Sequence, residues 1–407
     1  MKVLFLGGCV DRKDISYLIE NEKVGIQFAA QKVAWMFLEG LETAAGAPCD
    51  LLCTQRVSTY PKFNKVIPFR LPSWDRPGGA TGKYISYINL PIIRYPSTAI
   101  VTFFRLMGWI RKTAGEKNRV VICYAMYNPI TFPVLVLANL TRTYTLMIVP
   151  DLPEFTGPIL QGTLSGMARR INARFAHWIA ARFDGLVLFT PTMAERLDVS
   201  RLQWEVIEGC VEPQPLKPSR PSSPAIPRSI MYAGQLNRNY GVLNLINAFG
   251  KLEDPALELW ICGDGELKSE IEFFRTHDPR IKYLGALPNS EILALQKAAT
   301  ILINPRGGEQ EFTRYSFPSK NLEYLTSGRP VLICRMDGVP KEYYEYVYAM
   351  ESNSAESMSE KLMEILNKSD SELTEFGIRG MNFVFDKKNK FRQGEKLFNL
   401  INRIIEQ

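Results

Sequence analysis

Short apolar runs recur along the chain, and between them apolar residues return every third or fourth position. In the first half, the runs Val3–Leu6, Leu51–Cys53, Val120–Tyr124, Thr145–Val149 and Leu186–Phe189 predict strands. Segment 27–43 sets Phe28, Val33, Phe37, Leu38 and Leu41 along one side of a helix. Helices are also predicted over 97–112, near 131–141 and over 163–183. Strands alternating with helices predict a parallel sheet with helices on both faces.

The pattern then stops and restarts. Residues 211–228 (VEPQPLKPSRPSSPAIPR) hold six prolines and three serines, the composition of an inter-domain linker. Beyond it, strands are predicted at Ile230–Tyr232, Leu257–Cys262, Ile281–Leu284, Ile301–Ile303 and Val331–Cys334. Helices are predicted at Gly241–Phe249, 265–274, 289–298, 318–327, 354–367 and 390–406. The expected organisation is an N-terminal α/β domain (1–210), the linker, a second α/β domain (229–385) and a C-terminal helix (386–407) packing back on the first domain.

Composition adds exclusions. With 46% hydrophobic and 22% charged residues over 407 positions, the chain is neither disordered nor collagen-like. Seven scattered cysteines without a CxxC pair predict buried, reduced thiols and a cytoplasmic protein. Two histidines, His177 and His277, are too few for a His-built metal site, and there is no Asp-x-Asp pair; no metal and no cofactor are expected. The start, MKVLFLGGCV, is too short for a secretory apolar core, and no stretch of about 20 clean apolar residues predicts a spanning helix.

The net charge of +7 is unevenly placed. Residues 1–220 carry +9 and residues 221–407 carry −2; within 54–120, 12 Lys or Arg face only Asp75 and Glu116. Segment 97–112 mixes Phe103, Phe104 and Trp109 with Arg105, Arg111 and Lys112, and 163–183 adds Arg169, Arg170, Arg174 and Arg182. Aromatic and basic residues together suit an anionic membrane surface or a phosphate-bearing acceptor. Ordinary core helices with solvated basic residues have the same composition. No nucleic-acid-binding motif accompanies the charge, so nucleic acid is not an expected partner.

The stretch 304–334 (NPRGGEQEFTRYSFPSKNLEYLTSGRPVLIC) is the most informative. A strand ends at Asn304–Pro305, a polar loop follows, Pro318 opens a short helix, and Gly328 and Pro330 stop it. The start of that helix lies at the C-terminal edge of a parallel sheet, where such folds bind ligands. Its free N–H groups suit a phosphate. Lys320 in the first turn opposes the helix dipole, a cost that a bound anion offsets. Glu323 shares its face and could accept hydrogen bonds from ribose hydroxyls; an ordinary Lys–Glu surface pair fits the same residues. Two more loops leave strands of this domain: Ala233–Gly241, where Gly234 and Gly241 permit close backbone approach and Arg238 supplies charge, and Gly263-Asp264-Gly265. Convergence on one sheet edge marks a binding site.

With these residues in view, the second half resembles the nucleotide-sugar domain of GT-B glycosyltransferases, specifically the retaining family 4. MYAGQLNRNYG, LWICGDGE, IKYLGALPNSEI and FPSKNLEYLTSGRPVL follow in that family's order. LFLGG, GIQFAAQKVAWMFLEGL and IVPDLPEF match its first half more loosely. The resemblance implies an α/β fold of two Rossmann-like domains facing a cleft. It also implies transfer, with retention, from a nucleotide-diphosphate sugar to a saccharide or lipid-linked saccharide acceptor. The expected setting is bacterial cell-surface polysaccharide synthesis, at the inner face of the membrane.

The resemblance further implies roles. Glu323 matches the second glutamate of an E-x7-E signature and would hold the donor ribose. Gly234, Gln235, Arg238, Gly263 and Gly265 match loops near the diphosphate. Ser319, Lys320 and Asn321 match the helix start facing it, and Tyr283 lies near the base. Gly7, Gly8, Gly25, Gln27 and Asp151 fall on the acceptor side, with Asp151 a candidate to orient an acceptor hydroxyl. Arg238, Lys320 and the helix start would stabilise the leaving diphosphate without a metal. The first glutamate of the signature is replaced by Tyr315, leaving Glu311 as the nearest upstream carboxylate. The usual Arg and Lys of the glycine loop read Gln235 and Tyr240, and the usual His-Asp pair reads Pro150-Asp151. These departures keep open a non-catalytic sugar-nucleotide-binding subunit; a GT-B epimerase would want more acid–base groups.

Overall fold

The computed structural model describes residues 1–23, 28–54, 57–68, 73–156, 163–213 and 228–407. They form two compact units, one of Met1–Cys210 with Lys390–Gln407 and one of Val211–Asn389. Most of the Pro-rich segment, and Gly25 and Gln27, lie outside the described residues.

In the first unit the strands are β1 (Lys2–Gly7), β2 (Asp50–Cys53), β3 (Trp74–Asp75), β4 (Thr81–Tyr84), β5 (Arg119–Tyr124), β6 (Tyr144–Val149), β7 (Gly185–Leu188) and β8 (Gln203–Val206). Their order across the sheet is β3-β4-β2-β1-β5-β6-β7-β8, parallel except for the β3–β4 pair. The inner strands are buried along nearly their whole length, which is why they read as unbroken apolar runs. The helices Arg94–Lys112, Asn128–Thr141 and Thr163–Ala180 lie side by side. The helix Phe28–Ala45 packs against Lys390–Ile405, the last helix of the chain. Those two cross with no side chain between them: a Cβ on Gly394 would sit 2.2 Å from the Gly40 carbonyl carbon, and one on Gly40 would sit 2.0 Å from the Lys390 oxygen.

The second unit has β9 (Ser229–Ala233), β10 (Glu258–Cys262), β11 (Ile281–Gly285), β12 (Ile301–Asn304), β13 (Val331–Cys334) and β14 (Tyr348–Met350). All are parallel, in the order β11-β10-β9-β12-β13-β14. The order reverses at β9, so the loops after β9 and β12 open beside each other at the C-terminal edge. Ile230, Tyr232, Leu259, Ile261, Ile303 and Leu332 pack with Leu245, Phe249 and Leu362 from the helices to form the core.

Helix Asp370–Lys387 lies outside the helices predicted from the sequence. Its N-terminus is a full capping box, Ser369 with Glu372. All seven cysteines are buried, and no disulfide joins them. Among the described residues, no helix is long and apolar enough to cross a membrane.

Candidate functional site

Three loops meet at the C-terminal edge of the second unit, and their glycines first serve one another. Gly263 has φ +140°, and a Cβ there would lie 1.8 Å from the Gly234 oxygen. A Cβ on Gly265 would lie 2.5 Å from the Leu236 oxygen, and one on Gly241 2.2 Å from the Pro305 oxygen. Loop backbones therefore touch where the sequence pattern pointed to a phosphate. Main-chain bonds tie them together, Gly234 N to Cys262 O (2.9 Å), Leu236 N to Asp264 O (3.0 Å) and Gly263 N to Gly285 O (2.8 Å).

Tyrosine hydroxyls reinforce the same edge. Tyr324, wholly buried, accepts from Ala233 N (2.8 Å) and donates to Ala233 O (3.0 Å), closing the end of β9. Tyr232 donates to Gln235 O (2.7 Å), and Tyr283 donates to Gly263 O (3.0 Å). Burial raises the Tyr283 hydroxyl pKa, with Asp264 and Glu272 adding to the shift.

The helix expected to open at Pro318 runs over Ser319–Leu325, with Pro318 as its N-cap and no side-chain cap. Its first-turn donors are therefore not taken by a capping side chain. Lys320 reaches back from this helix to the β9 loop: a Cβ on Gly234 would lie 2.7 Å from Lys320 Cε. Glycine at 234 is what lets the lysine chain lie across the loop. Burial lowers the Lys320 pKa, and the Glu323 charge opposes that shift. Glu323 is half-buried and accepts from Gln296 Nε2 at 2.8 Å. Gln296 is fully buried on helix Asn289–Ala298 and holds the carboxylate in one orientation. Sequence reading missed Gln296, one polar residue in a helix with no distinctive pattern.

Other candidates stand differently. Asn321 is buried and accepts from Asn304 Nδ2 at 2.8 Å, so it joins the helix to β12. Arg238 is exposed and ion-paired with Glu270, while its N–H donates to Glu266 Oε1 (2.8 Å). Ser319 and Gln235 are exposed. Glu311, also exposed, begins the short helix Glu311–Arg314, and Tyr315 just after it is buried. Between the β9 and β12 loops lies a cavity of about 200 Å³, bounded by Arg238, Asn239, Asn244, Glu309, Gln310 and Asn353 among others. The Arg306 guanidinium stacks over Phe312 (4.7 Å) and Tyr240 (5.6 Å) on this side of the edge.

In the first unit, Gly7 ends β1 with Gly8 just after it, and Asp151 follows β6, exposed, at the same C-terminal edge. Tyr124 ends β5 between them; burial raises its hydroxyl pKa, and Asp151 contributes.

Residues 227–368 match the model of the family Glycosyl transferases group 1. No curated protein matches the chain in sequence. Solved structures align along its whole length. The sucrose-phosphate synthase of Thermosynechococcus elongatus superposes with TM-score 0.66 at 13% identity, covering 100% of both chains. The apo lipopolysaccharide outer core galactosyltransferase WaaB gives 0.62 at 13%, covering 99% of each. Anabaena HepE, solved in complex with UDP, gives 0.62 at 12%, covering 99% of this chain and 100% of its own. The chain thus has the GT-B fold of these glycosyltransferases, and its residues 227–368 carry the match to Glycosyl transferases group 1.

Proposed function

We propose that the protein is a glycosyltransferase that takes its sugar from a nucleotide-diphosphate donor, UDP-linked, and passes it with retention to a saccharide or lipid-linked saccharide. The observation that carries this reading is the pairing of Lys320, laid across Gly234, with Glu323, held by Gln296, on one uncapped helix start. Lys320 and the helix N–H groups supply positive charge where a departing diphosphate gains negative charge. Glu323 offers carboxylate oxygens to a ribose diol. That HepE is described in complex with UDP supports the choice of base. Charge stabilisation then comes from the protein rather than from a metal ion, and Asp151 orients the acceptor hydroxyl. The setting that fits is cell-surface polysaccharide synthesis, with the protein attached peripherally at the cytoplasmic face of the membrane.

Calorimetric titration of UDP into the protein and into Glu323→Ala tests the donor site. Two hydrogen bonds to a carboxylate are worth about 1.5–3 kcal/mol each, so the variant should lose at least about 100-fold in affinity. Equal affinity for the two proteins would sink the ribose assignment.

A second reading, a sugar-nucleotide-binding subunit without turnover, is favoured by two observations. Tyr315 is buried where the signature carries its first glutamate, and Arg238 is engaged by Glu270. UDP binding without hydrolysis or transfer across a panel of UDP-sugars, authentic acceptor included, would select it.

A further inference from the structure

We propose that the outer face of three neighbouring helices of the first unit, Arg94–Lys112, Asn128–Thr141 and Thr163–Ala180, is the surface that docks on an anionic lipid bilayer. The inference rests on the peripheral attachment proposed above, and it is independent of the donor site.

Each of these helices has two apolar sides, and only one is buried. On Thr163–Ala180, Ala173, Ala176, Ile179 and Ala180 face the protein. Met167, Ile171, Phe175 and Trp178 recur at helical spacing on the opposite side and are exposed, Met167 by 61% and Ile171 by 60%. On Asn128–Thr141, Phe132 and Leu140 are exposed on one side, Leu140 by 76%. On Arg94–Lys112, Thr102, Leu106 and Trp109 are buried, while Ile100 and Phe104 are exposed. Asn128–Thr141 packs against Arg94–Lys112 on one side and is tied to Thr163–Ala180 on the other, where Phe132 meets Phe175 with ring centroids 5.4 Å apart and Asn128 Nδ2 donates to Asn172 O (3.0 Å) and Oδ1 (2.9 Å). One exposed leucine needs no explanation, whereas stripes on three adjacent helices form a patch that water does not favour.

Charge selects the occupant. The three helices hold seven Lys or Arg and no Asp or Glu. Arg170 and Arg174 flank the Met167–Trp178 stripe, and Arg182 stacks over Trp178 at 4.0 Å. Beside Phe104, Lys83, Arg105 and Lys112 line a cavity of about 190 Å³ above the buried Asp50. A second copy of the same face would set cation against cation, which disfavours a symmetric dimer. A bilayer with acidic headgroups meets both requirements, since the apolar stripes enter the acyl boundary while long basic side chains reach the phosphates.

Co-sedimentation with sucrose-loaded vesicles, of phosphatidylcholine alone or with phosphatidylserine, tests the surface. The protein should pellet with the anionic vesicles and be released by high salt. Because each basic residue near such a surface contributes about fivefold, Arg170→Gln with Arg174→Gln should weaken partitioning about 25-fold. Met167→Ser with Ile171→Ser should weaken it further while UDP titration stays unchanged. Protein that ignores anionic vesicles overturns both the attachment and the surface. Binding that all four substitutions together leave intact overturns the surface alone. Lipid-free self-association that Met167→Ser with Ile171→Ser abolishes also counts against it, since the face would then be a contact between copies.

Discussion

Gln296, buried on one helix, donates from Nε2 to Glu323 Oε1 on another at 2.8 Å. The contact fixes the direction in which the carboxylate presents its remaining lone pairs. Gln296→Leu keeps the volume but removes the donor, and a hydrogen bond to a charged group is worth about 1.5–3 kcal/mol. UDP affinity should fall about tenfold in calorimetry. Gln296→Glu should weaken binding more at neutral pH and recover as acid allows the two carboxyls to share a proton. A merely structural glutamine would not produce that pH-dependent rescue.

Burial holds the Lys320 pKa below its ordinary 10.5, and Glu323 only partly offsets this. The free protein therefore releases that proton at a lower pH than the unfolded chain does. Across that window, stability of the free protein should rise with pH, because the unfolded state holds the extra proton. UDP affinity should move the other way, since a bound diphosphate favours the protonated amine. Calorimetry in buffers of different ionisation enthalpy should show proton uptake on binding there. Lys320→Arg, charged throughout, should abolish the uptake.

Gly263 and Gly285 both have positive φ, yet only Gly263 has backbone where a side chain would go. Gly263→Ala should therefore cost about 3 kcal/mol or more, with loss of UDP binding as the Gly234 loop is pushed away. Gly285, with nothing within 4 Å of a built Cβ, should lose only about 1 kcal/mol on the same change. Urea midpoints of the two variants, measured side by side, check the contrast.

Asp50 in the first unit accepts from Thr81 N and Trp109 Nε1, both at 2.9 Å, and lies 3.4 Å from Lys2 Nζ. Burial pushes its carboxyl up, but these partners together outweigh it and hold the pKa below 3.8. The resulting stability is present above the unfolded pKa and lost as pH falls through the lowered folded value. Asp50→Asn should cost about 2 kcal/mol at pH 7. It should also flatten the decline of the urea midpoint in acid.

The parts legible from sequence are those with a repeating pattern. The inner strands of both sheets are apolar on both faces and read directly. Strands β8 (QWEV) and β14 (YAM) are short, partly exposed edges with no such signal. Helix Asp370–Lys387 was obscured by Gly377 and Gly380 in its interior. A Cβ on Gly377 would lie 2.2 Å from the Gly328 oxygen, so packing overrides propensity there. The capping box at Ser369 and Glu372 was the available clue. At the site, the strand–loop–helix order brought Gly234 and Lys320 to one edge. The Arg238–Glu270 and Gln296–Glu323 contacts join separate helices and loops, and nothing local announces either partner.

The Gly40–Gly394 crossing has a consequence for biosynthesis. Leu397, Leu400, Ile401 and Ile404 complete the core of a unit whose other residues end at Cys210. A ribosome must therefore translate all of the second unit before the first can be finished. The second unit is one continuous stretch, Val211–Asn389, and is complete once it emerges, while the earlier unit waits with an apolar groove open along Phe28–Ala45. Chaperone demand in the cell should accordingly fall on the part of the chain made first.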